Sequence, residues 1–357
     1  MDWVNQTAVP AQLLVADMPD GGGRGGMLVA KATFELSGAA VSGAPPRLVS
    51  SDPLPLFDGP TALADVGELP ADLVPREDPA FEVFLLGACH APGGTPAREA
   101  RVVLSVGAVA RQLLVTGDRV WVGRGPSAQI GVAAEFTRIP LTYDRAFGGS
   151  AEVGLDPYSL YPVFDPLNRR GRGFDPEDYL AGCAAAFECA PGFPALAPGP
   201  RALPNLEAPD ERIRAWSDRP APACWATIPY DVGFAKEAIE ARLARYGPSP
   251  TKAQQAQAAH FRAHPQWTFD APPLARAPVR LEGAHAAGPL GFALPELRVL
   301  ADYEFGSRQG VLALRPQALV ILPEQMRFCI VYRTLFRFDA EAGQARCMRL
   351  RLTEGWG

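Results

Sequence analysis

The sequence predicts a mainly β protein, with antiparallel sandwich or meander sheets, Pro- and Gly-rich loops and a short helical insertion. Proline and glycine number 37 and 35 among 357 residues, well above their average share, which favours short strands and many turns. Several stretches alternate apolar and polar residues with the period of two that a half-buried strand requires. Hydrophobic residues make up 48% of the chain, enough for a large buried core.

The most regular strand pattern near the N-terminus lies at residues 27–36. Apolar side chains occupy one face at a period of two, whereas Lys31, Thr33 and Glu35 occupy the other, so we predict a half-exposed strand. A glycine run at residues 21–26 precedes it. We interpret this run as a flexible connection, because a dinucleotide-binding motif follows a strand and opens a helix.

Residues 43–80 are rich in proline, which favours extended coil and very short strands and disfavours a long helix. The next segment, residues 81–90, is almost continuously apolar, which predicts a strand buried on both faces. Cys89 and His90 are adjacent in this strand. Because adjacent strand residues point to opposite faces, we do not expect a thiolate–imidazole pair there.

Residues 101–149 are predicted to form a strand meander at the hydrophobic centre of an antiparallel β domain. The alternation over 102–106 predicts a strand that reverses at Gly107 and returns over 112–116. Gly117-Asp118 is then a strong second turn signal.

The second half of this meander begins with a third strand at residues 119–122. Residues 123–128 superficially resemble a phosphate loop but lack its Lys-Ser/Thr pair, so we interpret them as a hairpin loop. Another strand is expected around 136–143. The meander stops at Phe147-Gly148-Gly149, where two glycines provide backbone freedom that other residues lack.

The remaining sequence divides into three parts. Residues 151–229 show little periodicity and are expected to form an ordered but irregular crossover. Helical periodicity occurs at 234–246 and at about 251–263, interrupted by Gly247-Pro248. From residue 278 the strand pattern returns and continues to a final strand at 347–352.

We therefore divide the chain into four regions. These are an N-terminal β region (1–150), an irregular loop-rich crossover (151–230), a helical insertion (231–264) and a C-terminal β region (278–357) packed with the N-terminal one. The formal net charge is -5 and no dense basic stripe occurs, which disfavours nucleic-acid binding. With neither a basic apolar leader nor a membrane-spanning apolar run, we expect a cytoplasmic protein with reduced cysteines and no membrane association.

Few residues suggest chemistry. His260 and His264 have the helical spacing of two metal ligands, but the expected Glu after the first His is Phe261, and we favour structural or exposed roles. Asp118, Asp144 and Glu207 are carboxylates beside aromatic residues or glycines, and we favour turn capping or pairing with arginine over paired-carboxylate hydrolysis. We expect no catalytic set, no cofactor and no metal.

Several segments in a fixed order resemble a known bacterial family. The residues that carry this resemblance are Gly117, Asp118, Arg119, Trp121, Tyr143, Arg145, Phe147, Gly148, Gly149, Asn205 and Glu207. Together with the strand at 27–36 and segments near 168–174, 288–295 and 329–333, they are similar to the family catalogued as domain of unknown function 2169. The likeness extends from about residue 27 to residue 338. The chain departs from the family pattern at Asn168-Arg169-Arg170-Gly171-Arg172-Gly173 and at Tyr332-Arg333.

The resemblance implies a function as well as a fold. Members of that family are associated with type VI secretion and resemble adaptors or chaperones that load an effector protein onto the secreted spike protein. The signature residues are then expected to be structural. Trp216, Trp225 and Trp267 are candidate partner-binding anchors, although we favour burial in the core for each of them. The competing hypothesis is a β-rich carbohydrate-binding module or carbohydrate-active enzyme that uses carboxylates near Asp144 and Glu207.

Overall fold

A computed structural model describes residues 2–17, 24–36, 46–76, 80–123, 125–156, 159–176, 201–229, 261–338 and 346–354. The fold is mainly β, as predicted. The first thirteen strands are β1 (Asp2–Asn5), β2 (Ala11–Asp17), β3 (Arg24–Glu35), β4 (Arg47–Leu48), β5 (Thr61–Ala62), β6 (Glu68–Leu69), β7 (Phe81–Leu85), β8 (Ala88–His90), β9 (Glu99–Val106), β10 (Val109–Thr116), β11 (Val120–Val122), β12 (Gln129–Ile130) and β13 (Arg138–Pro140).

The second half of the chain adds as many strands. They are β14 (Phe147–Gly148), β15 (Ser150–Asp156), β16 (Ser159–Phe164), β17 (Arg172–Gly173), β18 (Arg201–Ala202), β19 (Leu206–Glu207), β20 (Thr268–Phe269), β21 (Pro278–Glu282), β22 (Leu290–Ala293), β23 (Leu297–Phe305), β24 (Arg308–Leu322), β25 (Arg327–Phe338) and β26 (Arg346–Glu354). Short 3-10 turns occur at Pro92–Gly94, Gly125–Ser127, Tyr143–Arg145, Pro265–Trp267 and Pro323–Gln325. Among the described residues, no helix has the length and apolar character needed to span a bilayer.

The largest sheet has ten strands and combines segments that are far apart in sequence. Its main order is β1-β26-β23-β24-β25-β3-β2, and β4, β7 and β20 attach to its side. The long strand β24 joins the two halves, because residues 308–314 pair with β23 and residues 315–322 pair with β25. The register shifts between Pro316 and Ala318, and this irregularity lies where the strand changes partner.

A five-stranded sheet of order β19-β10-β9-β21-β22 packs against the ten-stranded sheet. Phe292 of β22 stacks on Phe328 of β25, with ring centroids 4.3 Å apart, and Phe328 stacks on Phe34 at 5.0 Å. The inward residues of both sheets belong to one continuous apolar cluster. The sheets therefore share a core, in the manner of sandwich packing.

The strand predicted at residues 27–36 is present as β3, but the prediction that one of its faces is exposed was wrong. Lys31 and Thr33 are 1% and 0% exposed. The Lys31 ammonium lies 2.7 Å from the Asp72 carboxylate and 4.5 Å from the centre of the Phe57 ring. A lysine can be buried when a counter-ion is buried with it, and this counter-ion comes from a distant loop.

Further charged groups lie close to this pair. Arg333 of β25 donates through Nε to the backbone oxygen of Asp72, 2.8 Å away. Arg76 forms an ion pair with Glu82 of β7, and both side chains are 3% exposed. We call these residues, which connect the loop before β7 to the ten-stranded sheet, the buried ion cluster: Lys31, Asp72, Arg76, Glu82 and Arg333.

The predicted meander is only partly correct. Strands β9 and β10 form the expected hairpin, and Gly107 at its turn has a φ of 60°. The expected turn at Gly117-Asp118 does not reverse the chain into a hairpin. Instead, β11 leaves for a separate three-stranded sheet between β12 and β18. The segment 101–149 is thus distributed over several sheets, and the ten-stranded sheet is built from strands outside it.

Two other predictions concern the middle of the chain. Strands β11 and β12 pair as an antiparallel hairpin, so the segment between them is a hairpin connection, as predicted. Within the crossover, the β15–β16 hairpin was not predicted. The expected helices fall almost entirely on residues 230–260, outside the described part, as does His260.

Candidate functional site

The signature residues meet around the connection between β10 and β11. Gly117 has no room for a side chain there, because an added Cβ atom would lie 1.8 Å from the backbone oxygen of Ala134. The N–H of Ala134 donates to the backbone oxygen of Asp118 at 2.8 Å. The glycine therefore serves the close approach of two backbone segments, and the turn expected here is absent.

Asn205 connects three loops at the middle of this region. It is fully buried, and its amide nitrogen donates to the backbone oxygen of Thr116 at 2.8 Å and to a carboxylate oxygen of Asp118 at 3.0 Å. Its amide oxygen accepts hydrogen bonds from Arg145 at 3.2 Å and from Arg172 at 3.1 Å. The full hydrogen-bonding capacity of this side chain is used within the protein.

Asp118 lies between two guanidinium groups at the surface end of the same region. Its carboxylate is 3.2 Å from Arg172 and 3.6 Å from Arg145. Arg172 also donates through Nε to the backbone oxygen of Asp144 at 3.0 Å. Because the Asp118 side chain is 69% exposed, water screens these pairs, and they orient the loops more than they stabilise them.

Arg119 and Glu207 form a buried ion pair beneath these groups. Their side chains are 6% and 1% exposed, and Arg119 donates to Oε2 of Glu207. The other carboxylate oxygen of Glu207 accepts the backbone N–H of Ile213 at 2.8 Å. Both oxygens of Glu207 are thus occupied inside the protein, which leaves neither of them accessible to a sugar substrate.

Asn168 and two glycines fix the loop that ends the Tyr-Asp-Arg-Ala-Phe-Gly-Gly segment. The Asn168 amide donates to the backbone oxygens of Tyr143 and Phe147 at 2.7 and 2.9 Å. Its backbone oxygen accepts the N–H of Gly149 at 2.7 Å. At Gly148, with a φ of 136°, an added Cβ atom would lie 2.0 Å from this oxygen. Only glycine fits here, in agreement with the predicted backbone freedom.

We call this set of polar residues the signature cluster. Its members are Asp118, Arg119, Arg145, Asn168, Arg172, Asn205 and Glu207. Sequence reasoning identified five of them but did not identify Asn168 or Arg172 as site residues. Both lie in the segment 168–173, where the sequence departs from the family pattern, and the repeated arginines and glycines there were the available signal.

A small apolar cluster lies next to the signature cluster. Its buried members are Trp121, Phe147, Leu203 and Ile213. Trp216 packs against Trp121 with ring centroids 5.3 Å apart, and the Arg201 guanidinium lies 5.2 Å from the Trp216 ring. Trp216 is only partly buried, so part of this candidate anchor is available at the surface.

The other two candidate anchors are core residues, in agreement with the favoured interpretation of each, and neither is available as a surface anchor. Trp225 and Trp267 are 2% and 0% exposed. Their rings contact each other edge to face, with centroids 5.5 Å apart, and they belong to the main core. Side chains enclosed in this way cannot contact a partner without opening the core.

The candidate metal and thiol groups are placed as follows. His264 caps a 3-10 turn, where its Nδ1 accepts the N–H of Gln266 at 3.3 Å. No cluster of three or more histidine, cysteine, aspartate or glutamate side chains occurs within the described residues. Cys89, Cys224 and Cys329 are free and buried, and burial raises the pKa of each thiol to about 12, as expected of inert core cysteines.

Comparisons with known proteins place the chain in a family. Comparison with curated proteins and with solved structures gave no match. One family model matches residues 22–333, which is most of the chain and includes both polar clusters. The chain therefore belongs to the DUF2169 family, described as an uncharacterized protein conserved in bacteria.

Proposed function

We propose that this protein is a non-catalytic cytoplasmic adaptor that binds a type VI secretion effector and helps to load it onto the secreted spike protein. The effector and spike assignment rests on the likeness of the signature segments to a family associated with that secretion system. The match of the family model to residues 22–333 supports the assignment of the chain to this family, on which the proposed function rests. The structural argument concerns what the signature residues do.

The observation that carries the proposal is the internal use of the signature's polar atoms. Asn205 makes four hydrogen bonds within the protein, and Glu207 uses both of its oxygens in buried contacts. A catalytic site requires polar groups that can reach a substrate. Groups used in this way instead hold loops in one arrangement, as a preorganised binding surface requires.

Glu207 also bears on the carbohydrate hypothesis. That hypothesis needs a carboxylate pair flanking a glycosidic bond, and Glu207 would have to leave Arg119 and the buried N–H of Ile213 to take part. Leaving Arg119 as an unpaired buried charge would cost about 3–5 kcal/mol. The geometry therefore favours an adaptor over an enzyme that uses Glu207.

The direct test is capture of the partners. The tagged protein is co-expressed with the products of neighbouring effector and spike genes, and we expect it to retain the effector on an affinity resin. Trp216→Ala should weaken capture, because the partly exposed ring is lost, whereas Arg47→Ala, which removes an ion pair of an arginine that is 78% exposed, should not. Failure of the wild-type protein to capture either product would contradict the proposal.

A further inference from the structure

An apolar cleft lies against β7, β23 and β25 of the ten-stranded sheet. Its floor is formed by Phe81 of β7 and by Ile330 and Tyr332 of β25, and its walls by residues 272–275 and 294–298. Three of the wall residues are prolines: Pro272, Pro273 and Pro295. The cleft has a volume of about 170 Å³, below the roughly 300–1,000 Å³ of a small-molecule site.

Hydrogen bonds and an ion pair within the protein hold the two walls of the cleft together before any occupant binds. The N–H of Arg276 donates to the backbone oxygen of Leu294 at 3.0 Å, and the N–H of Leu294 donates to that of Ala277 at 2.9 Å. Arg276 and Glu296 also form an ion pair at 2.9 Å across the rim. A cleft with fixed walls loses little conformational entropy when it is filled.

One polar group on the floor of the cleft makes no hydrogen bond with the described residues. Tyr332 is 2% exposed and lines the floor, and none of the described residues hydrogen-bonds its hydroxyl group. Burial alone raises its pKa, so the hydroxyl remains a neutral donor. A buried tyrosine hydroxyl usually has a hydrogen-bond partner, and an occupant of the cleft would provide one.

The rim of the cleft carries an exposed apolar side chain, Leu274, and an exposed cationic side chain, Arg298. Leu274 is 85% exposed on a turn closed by the Ala277 N–H. Arg298 lines the other wall and is exposed, and it has no ion pair with any residue in the described ranges. With Arg276 neutralised by Glu296, the rim carries an excess positive charge, which favours an acidic occupant.

We propose that this cleft binds one large apolar side chain, leucine or phenylalanine, from an extended peptide segment of a protein partner. The apolar side chain fills the space above Phe81 and Ile330 and beside Leu274. A backbone carbonyl of the peptide accepts the Tyr332 hydroxyl proton in a hydrogen bond, and an acidic residue next to the apolar one lies near Arg298. The inference rests on the proposed adaptor function only for the source of this segment.

The cleft volume decides between a side chain and a free small molecule. A volume of about 170 Å³ is close to the roughly 150 Å³ of an apolar cavity that holds a single benzene ring, which is the scale of one large side chain. The open mouth leaves the peptide backbone outside the cleft, within reach of the rim. Proline and aromatic side chains that line such a groove are also typical of sites for extended peptides.

The test is an NMR titration of the full-length protein with the peptide acetyl-Gly-Asp-Leu-Asp-Gly-amide. We expect saturable binding, at least tenfold weaker when alanine replaces leucine in the peptide, because the alanine buries far less apolar surface. Leu274→Asp should weaken binding at least tenfold. The matched control Val311→Asp, on an exposed valine of β24 outside the cleft, should change it less than twofold.

Tyr332→Phe separates recognition from folding. The hydroxyl has no hydrogen-bond partner among the described residues, so its removal should leave the thermal unfolding midpoint unchanged. The affinity for the peptide should fall about three- to tenfold. Equal affinity for the leucine and alanine peptides, no effect of Leu274→Asp, or tighter binding of cyclohexanol than of the peptide would each overturn the proposal. Because this titration requires no secretion partner, its result is independent of the capture experiment, and either proposal can fail alone.

Discussion

The buried ion cluster and the outer part of the signature cluster both join loops to strands with charged groups, but they lie in different environments. The Arg119–Glu207 pair beneath that outer part is buried, like the first cluster. In the first, the Lys31 and Asp72 side chains are each 1% exposed. In the second, Asp118 is 69% exposed and Arg172 is 27% exposed. The difference teaches that similar ion pairs contribute unequally to the free energy of unfolding. Removing one partner leaves an unpaired buried charge only where water is excluded.

The largest effect is expected from Asp72→Asn. This change keeps the size of the side chain but leaves the Lys31 ammonium without its buried counter-ion, so the free energy of unfolding should fall by about 3–5 kcal/mol. Urea denaturation measures it. The matched control is Asp302→Asn, which breaks a pair with Arg351 in which the side chains of Asp302 and Arg351 are 42% and 39% exposed, and the loss of stability should be far smaller. Equal losses in the two variants would contradict the comparison.

The next effect tests whether the signature cluster depends on backbone packing more than on charge. Gly148→Ala places a Cβ atom 2.0 Å from the Asn168 backbone oxygen at a φ of 136°, so we expect a loss of about 2–3 kcal/mol. Gly93→Ala is the control, because that glycine also has a positive φ, 63°, but no atom near the added Cβ. A loss no greater than that of the control would show that the close approach is unimportant.

Within the signature cluster, Asn205 should contribute more to the stability of the fold than the Asp118 carboxylate that it contacts. Asn205→Ala leaves the Thr116 carbonyl and two guanidinium groups without their shared partner, at a cost of about 1–2 kcal/mol. Asp118→Ala removes an exposed carboxylate and should cost under about 1 kcal/mol. Thermal unfolding of both variants measures which loses more stability. A larger loss for Asp118→Ala than for Asn205→Ala would show that the ion pairs hold the loops.

The smallest effect concerns a surface site outside both clusters. Arg138 lowers the pKa of Asp65 and of Glu324, mainly through hydrogen bonds to their carboxylates. Because these pKa values are lower in the folded protein, the pairs stabilise it above about pH 4.5, the ordinary value for Glu, and this contribution is lost as the pH falls through the lowered values.

Arg138→Gln should therefore make the loss of stability between pH 5 and pH 3 shallower. The change should be under about 1 kcal/mol, since the three side chains are 30–56% exposed. Urea midpoints at the two pH values measure it. An acid limb as steep as that of the wild-type protein would assign the loss of stability to other carboxylates.

Local patterns predicted the strands well. The alternation over 102–106 and the reversal at Gly107 were confirmed. The apolar segment 81–90 is buried as predicted, but the single strand expected there was wrong, because the segment is divided into β7 and β8, which pair in different sheets. The same rules failed at Lys31, since a period of two describes which side of a strand a residue is on but not what covers that side. The covering group, Asp72, lies 41 residues away in a proline-rich loop, and no local signal links the two.

The candidate site shows a similar division. The resemblance singled out residues 118, 145 and 205 without predicting that they meet, and the structure joins them through hydrogen bonds. The pairing of β10 with β19 and of β11 with β18 depends on long-range register, which the short two-residue strands do not encode by themselves. Trp225 and Trp267 illustrate the same limit, because composition alone does not separate a core tryptophan from a surface one.

The shared strand β24 has a consequence for the order in which the protein is made. Strands β3 and β7 leave the ribosome long before β24 and β25, their hydrogen-bonding partners in the ten-stranded sheet. Strand β1 likewise cannot pair until β26 has been synthesised, because Asp2 lies opposite Cys347. Until β25 has been synthesised, β3 can pair only with β2 and β4, so folding of the ten-stranded sheet is expected to be slow and to finish late.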